Sequence, residues 1–335
     1  MLDKKYDQCA ASAPCRLAIV IPAWKSDYIS AAVDSILQQS CADFHLYIGD
    51  DASPNRIAEV LGARLKDKRI TYHQFSENIG RTDLVAQWER CIDLVGDEEW
   101  IWLFSDDDLM DKCCVEVLQK QFEASIDADL LRFPVSCIDA NGNVVREFVF
   151  RQPPTPKAFL ELRWRNEMDS FVVEYVFRKS AFIKRGRFQK FDLAWGADDA
   201  TWMKMMEKRP PLYLPQGRVF WRKSGLNISS NEKDEKLATR KVKARLGFLR
   251  WSFERYAEVV ESHRCQRDSR RWFFRNVEIR AFPVRKLISL SKEAYAEMKW
   301  PFPGYLGSSV ALIFRKYLDE LGLLLVKCVK KGARQ

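Results

Sequence analysis

With 335 residues, 47% of them hydrophobic, and only 14 Gly and 13 Pro, the chain is long enough to bury one large core or two unequal ones and reads as an ordinary globular protein without internal repeats or low-complexity tracts. Its net charge of +9 is uneven: residues 240–335 carry 22 Lys and Arg against 9 Asp and Glu, while the remainder is slightly acidic. Body and tail are therefore expected to meet different partners, the tail an anionic surface such as membrane phospholipid. No stretch reaches the ~20 apolar residues of a membrane span, Leu321 to Val329 being the longest candidate, and the Leu17 to Ile21 run is too short for a signal peptide. A cytoplasmic chain is expected, peripheral on the inner face of the membrane if it touches one.

Leu17 to Ile21 reads as a strand, followed by Ile29, Ala32, Val33, Ile36 and Leu37 at helical spacing. The alternation continues with a strand at His45 to Gly49, a helix from Arg56 to Leu65, and a short strand at Arg69 to His73. A helix then places Leu84, Trp88, Cys91, Ile92 and Val95 on one face, and the strand Trp100 to Phe104 ends in acid. Such alternation predicts an α/β fold with a mostly parallel sheet flanked by helices, its ligands outside the carboxyl ends of the strands.

From about Leu130 to Phe177 the pattern is less regular. Asn141-Gly142 signals a hairpin, and Pro153, Pro154 and Pro156 mark a loop in what reads as an acceptor-facing region. After Ser230 the character changes: Asn231 to Arg245 reads as a highly charged helix with few apolar residues, and from Gly247 the chain is helical, mixing aromatics with Arg. It closes on Val310, Ile313, Phe314, Tyr317, Leu318, Leu321, Leu324, Leu325 and Cys328 at helical spacing amid bases, a basic amphipathic helix. The expected organisation is a tail at 1–15, a catalytic domain at 16–235 and a basic helical region at 236–335. No nucleic-acid recognition motif accompanies the charge.

Three acidic stretches carry candidate chemistry. Ser105-Asp106-Asp107-Asp108 ends an apolar strand, where adjacent carboxylates repel one another unless a hard cation such as Mg²⁺ or Mn²⁺, or hydrogen-bond donors, offset them. The alternative is a solvated turn capping the next helix. Gly49-Asp50-Asp51-Ala52-Ser53 lies at another strand end, able to accept from a ribose hydroxyl or a base imide, or merely to cap a helix. Gly196-Ala197-Asp198-Asp199 pairs two acids at the start of a helix. There the second carboxylate raises the proton affinity of the first toward that of a general base, although acids also suit a helix N-terminus for its dipole alone. His45, His73 and His263 are isolated and read as structural. The nine cysteines are irregularly spaced, and the Cys113–Cys114 pair lacks metal-ligand spacing, so free thiols are expected.

In this order, the stretches resemble glycosyltransferase family 2, inverting enzymes of the GT-A fold. The resemblance spans roughly Leu17 to Ser230. It rests on Ile21-Pro22-Ala23-Trp24, the helix from Tyr28 to Ser40, Gly49 to Ser53, Glu77-Asn78-Ile79-Gly80-Arg81, Ser105 to Asp108, and Gly196 to Asp199. It implies a nucleotide-sugar donor, UDP-linked by expectation, and a Mn²⁺ or Mg²⁺ ion on Asp107 or Asp108, with Asp106 toward the sugar or ribose. Pro22 and Ala23 would lie along the nucleotide, Asp50 or Asp51 on uracil or ribose, and Asn78 and Arg81 near base or phosphate. Asp199 would be the catalytic base, and Asp198 replaces the family's more usual Glu. Ser105 departs from the Asp-x-Asp-Asp pattern. In Val219 to Ser229, Ser224 stands where the family often has His, leaving Arg222 and Lys223 to stabilise the leaving diphosphate. The acceptor would be a saccharide or lipid-linked hydroxyl, in a bacterial surface-polysaccharide or lipopolysaccharide setting. The rival classes are a nucleotidyltransferase, disfavoured because Pro22-Ala23-Trp24-Lys25 is no glycine- and lysine-rich phosphate loop, and a catalytically idle membrane-associated protein of the same fold. A dinucleotide oxidoreductase lacks its Gly-x-Gly-x-x-Gly.

Overall fold

Strand β1 (Leu17–Ala23) is an interior strand of the larger sheet, and its alternation sends Leu17, Ile19, Ile21 and Ala23 to one face and Ala18 and Val20 to the other. A strand apolar on both faces must be covered on both. The computed structural model describes residues 15–124, 126–225, 234–260, 262–301 and 303–332, the side chains of 259, 260, 303 and 322–332 excepted. The tail at 1–14, Asn227 to Ser229, and most of the apolar run from Leu321 to Val329 lie outside the residues or side chains described.

After β1 come α1 (Ile29–Leu37), β2 (His45–Asp50), α2 (Ile57–Leu61), β3 (Ile70–Gln74), α3 (Leu84–Ile92), β4 (Trp100–Leu103), β5 (Leu109–Met110) and α4 (Cys114–Glu123). The middle of the chain forms β6 (Leu130–Arg132), β7 (Val135–Ile138), β8 (Val144–Glu147), α5 (Pro156–Arg165), β9 (Tyr175–Arg178), α6 (Lys179–Lys184), α7 (Ala197–Met205), β10 (Leu212–Tyr213) and β11 (Val219–Arg222). The last third is α8 (Glu235–Arg255), α9 (Ala257–Val260), α10 (His263–Arg275), α11 (Val284–Glu297) and α12 (Pro303–Gly332).

The main sheet runs β10-β6-β9-β4-β1-β2-β3. Strands β4, β1, β2 and β3 are mutually parallel, whereas β9 is antiparallel to both β4 and β6, so the sheet is mixed but mostly parallel. A smaller sheet, β5-β11-β7-β8, includes the expected hairpin. There Asp139 Oδ1 accepts from the Asn141 and Asn143 amides at 2.9 Å each, and Gly142 takes φ +88°. One face of the main sheet packs on α1, α2 and α4, and the other on α3, α5, α7, α8 and α10.

Two expectations need correcting. The helix from Arg56 to Leu65 is broken, because Arg56 is left-handed (φ +50°), α2 ends at Leu61, and Gly62 at φ +50° starts a 3-10 turn. Pro156 belongs to no loop: it opens α5, where its missing N–H loses nothing, and the Thr155 hydroxyl accepts from Ala158 N at 3.2 Å as cap.

The basic helices do not hang free of the sheet. On α8, Ala238, Val242, Leu246 and Leu249 form one buried face and share a core with Tyr175 of β9 and Trp202 of α7, which stack at 4.7 Å. Arg315 of α12 turns inward to the end of α10, donating to the carbonyls of Phe274 (2.9 Å), Arg275 (2.7 Å) and Val277. A cation is favoured at such a helix terminus. Among the described residues no helix is long and apolar enough to cross a membrane.

Candidate active site

Parallel pairing of β4, β1, β2 and β3 brings their carboxyl ends to one edge. Register sets Ala23 beside Asp50 and Asp50 beside Gln74. Pro22 and Ala23, the Asp50–Asp51 pair, the Asn78–Arg81 turn and Asp106 to Asp108 therefore meet there, although as many as 86 residues separate them in the chain.

Asp50 is fully buried and engaged by protein donors: Ser53 N (2.8 Å), the Tyr72 hydroxyl (2.5 Å) and Gln74 Nε2 (3.3 Å). Asp51 accepts from the Ile79 and Gly80 amides, each at 3.0 Å, and from Arg90, whose guanidinium stacks on Phe75 at 3.9 Å. Burial pushes the Asp51 carboxyl above its usual range despite these donors. Gly80 is required by space, since a Cβ would stand 2.5 Å from Asp51 Oδ2. Asn78 Oδ1 accepts from Arg81 N at 3.0 Å and so shapes the turn, while the Arg81 side chain is exposed.

The acid turn after β4 is knitted to β1 and β11. Asp106 Oδ2 accepts from Trp24 N (2.9 Å) and Lys25 N (2.7 Å). Lys25 Nζ lies 3.4 Å from Asp106 Oδ1 and directly on Asp107, which also takes the Ser105 hydroxyl at 2.7 Å. Asp108 Oδ1 accepts from Arg222 N at 2.7 Å. Burial raises the pKa of Asp106, and burial together with the Asp107 charge raises that of Asp108 well above the carboxylate range. Burial works against the charge on Lys25, but Asp106 and Asp107 outweigh it and hold its pKa high. Two of the three carboxylates thus share Lys25 while Asp108 is held by the Arg222 amide, and a further cation would relieve the repulsion among the three.

Arg222 is buried. Its Nε donates to the Asp107 carbonyl (2.7 Å) and its Nη1 to the carbonyls of Asp139 (2.9 Å) and Ala140 (3.1 Å), with the Tyr28 ring 4.5 Å away. Lys223, by contrast, is exposed beside the turn. Among the described residues there is no group of three or more His, Cys, Asp or Glu side chains placed to hold a metal ion. Asp107 and Asp108 offer the smaller donor set, one or two carboxylates, with which Mg²⁺ or Mn²⁺ is held when a diphosphate supplies the remaining oxygens. The unbalanced charge of the turn fits such an ion.

Asp198 and Asp199 begin α7, after Gly196 turns the chain at φ +84°. Asp199 is buried, its Oδ2 accepting from Arg163 Nε at 2.9 Å, while its Oδ1 is buried with no hydrogen-bond partner among the described residues. Leaving a carboxylate oxygen so is costly unless a water or a bound group donates to it. Asp198 is half-buried. Burial and the neighbouring Asp199 charge raise its pKa to about 7, with backbone N–H groups and Arg163 partly opposing.

Lys25, Arg90 and Arg163, the cations that hold these acids, were not among the candidate residues. Each is one base among 55, and nothing in local spacing marks which carboxylate it will meet. Only the Trp-Lys step at the end of β1 offers a trace of Lys25.

Solved structures share the fold. S. aureus TarS 1–349 in complex with UDP-GlcNAc aligns at TM-score 0.52 and 15% identity over 89% of each chain. S. aureus TarS 1–349 on its own aligns at 0.50 and 14% identity, over 89% of this chain and 88% of that one. The uncharacterized glycosyltransferase MJ1057 of Methanocaldococcus jannaschii is 32% identical over 126 residues, which span 36% of this chain and 41% of that relative. The family model for "Glycosyl transferase family 2" matches residues 18–186, half of the chain, taking in both acid clusters at the strand ends and stopping short of α7. With those strand ends arranged as described, the match shows that this chain belongs to glycosyltransferase family 2.

Proposed function

We propose that the protein transfers a sugar from a nucleotide diphosphate donor, UDP-linked by preference, to a hydroxyl of a saccharide or lipid-linked acceptor, with inversion at the anomeric carbon. The observation that carries this reading is the unpartnered, buried Oδ1 of Asp199, whose carboxylate is oriented by Arg163. In the reaction, Oδ1 takes the proton of the acceptor hydroxyl as that oxygen bonds to the anomeric carbon. The bond from that carbon to the diphosphate breaks, its electron pair leaving with the nucleoside diphosphate. Lys223 and Arg81, both exposed at the strand ends, would attract the negative leaving group. Asp107 and Asp108 would hold a Mn²⁺ or Mg²⁺ ion, which supplies charge neutralisation at the diphosphate. In this reading residues 16–235 form the catalytic unit, and the helices of 236–335 complete its core and face the membrane.

The test is a screen of nucleotide-sugars for Mn²⁺-dependent turnover, comparing the parent with Asp199→Asn. The variant should lose transfer by about 10²- to 10⁴-fold, the usual contribution of a general base, while keeping UDP binding by thermal shift. Transfer unchanged in Asp199→Asn would remove it from the reaction.

A further inference from the structure

We propose that the cleft between Trp195 and the C-terminal helices is a binding subsite for a sugar unit of the acceptor. The inference rests on the transferase reading above and extends it to a region that the family match at 18–186 does not reach. The cleft has a volume of about 410 Å³, and its lining includes Trp195, Arg245, Arg275, Asn276, Glu278 and Arg280. That size falls within the ~300–1,000 Å³ of small-molecule sites.

Position is the first argument. Trp195 precedes Asp198 by three residues, and even a fully extended chain spans at most ~3.6 Å per residue. The backbone at the cleft wall therefore lies within about 11 Å of that of Asp198, so the cleft and the acid pair border the same short segment. Gly196 is fixed at this junction twice over: it takes φ +84°, and a Cβ there would come 3.1 Å from the Phe248 ring. The wall is thus held rigidly against α8.

Chemistry is the second. A sugar presents apolar C–H faces and hydroxyls that both donate and accept, so its site needs an aromatic plane among mixed donors and acceptors. Trp195 supplies the ring, positioned by Lys241 Nζ at 5.0 Å and the Arg245 guanidinium at 5.1 Å from its centroid. Arg245 is locked by two bonds to Glu278 (2.8 and 2.7 Å), and Arg280 by two to Asp319 (2.8 and 2.6 Å), which presents oriented N–H groups beside carboxylate oxygens. Asn276 Nδ2 donates to the Trp272 carbonyl at 2.8 Å, so its Oδ1 is the end left to accept from a ligand, and Arg275 is exposed. The two carboxylates of the lining, Glu278 and Asp319, offset Arg245 and Arg280, so Arg275 is the lining charge they leave over, and the polar edges oppose an acyl chain. A polyhydroxyl ligand satisfies both signs at once.

The test uses the full chain and ligand-observed saturation-transfer NMR with maltose, cellobiose, lactose and N,N′-diacetylchitobiose at millimolar concentration, with inorganic phosphate as the anionic arm. The expected result is binding of at least one disaccharide by the parent, weakened tenfold or more in both Arg275→Glu and Asn276→Ala. These variants lie at the end of α10 and should keep the parent's thermal shift with UDP and Mn²⁺. Binding of none of the disaccharides, undiminished binding in either variant, or binding of phosphate in their place would overturn the subsite. Absence of the UDP shift in the parent would instead count against the donor reading, so the two failures are separable.

Discussion

Lys25 shows how much one side chain does at the strand ends. Its ammonium group lies on Asp107 and near Asp106, both almost fully buried. Removing it leaves carboxylates with less charge compensation than burial allows. Lys25→Met should lower stability in chelator by about 2 kcal/mol and enlarge the rise in melting temperature on adding Mn²⁺, because the metal then supplies the missing charge. A Mn²⁺ response equal to the parent's would show that the lysine and the ion do not share the same carboxylates. Asp198 makes a second prediction at this scale. Its pKa is raised to about 7 from an ordinary carboxyl value of 3.8, so between those two pH values the folded state binds a proton that the unfolded state does not. Its contribution to stability is therefore full below pH 4 and lost as pH rises through 7. Asp198→Asn lacks this loss and should gain stability relative to the parent between pH 4 and pH 8, by an amount on the order of 2 kcal/mol, read from denaturant melts at both pH values.

At the scale of elements, two glycines separate by what surrounds them. Gly80 follows β3 in a turn whose amides clamp Asp51, and a Cβ there would stand 2.5 Å from Asp51 Oδ2. Its backbone is not left-handed, so space alone decides. Gly80→Ala should cost about 1–3 kcal/mol and weaken UDP binding by shifting the turn that carries Arg81. Gly307 lies in α12 with nothing within 4 Å of its would-be Cβ. Gly307→Ala should therefore stabilise the chain by about 0.5–1 kcal/mol through helix propensity. Thermal melts of the two variants should move in opposite directions.

For the whole molecule, the question is what covers α12. Leu306, Val310, Phe314, Tyr317, Leu318 and Leu321 are each more than half exposed and recur at three- and four-residue spacing, one stripe of the helix. The opposite side packs inward through Leu312, Ser309 to Ser291 at 3.0 Å, and Arg315. A stripe of that kind on a region rich in Lys and Arg suits the interface of an anionic bilayer. Co-sedimentation should show binding to phosphatidylglycerol vesicles, weaker on phosphatidylcholine, and reduced at least tenfold by Phe314→Asp with Leu318→Asp. Equal binding by that variant would place the contact elsewhere.

The α/β alternation was legible along the chain because period-2 and period-3.6 patterns are local: β1, α1, β2 and β4 stand within a residue or two of where the apolar spacing puts them, while α3 stops at Ile92, three residues short of the expected Val95. The acid stretches at strand ends were legible too, since Asp50, Asp51 and Asp106 to Asp108 each follow an apolar run. Sequence spacing did not say that β9 runs antiparallel between β4 and β6, because pairing direction depends on strands 43 or more residues apart. Nor did it reveal that Asp50 is consumed by Tyr72 and Ser53, that Arg163 holds Asp199, or that the charged face of α8 closes on Trp195. Local periodicity fixes elements by which side chains must leave water. Which buried charge meets which partner is decided only when distant elements pack, because desolvation and pairing act across space and leave no spacing in the chain.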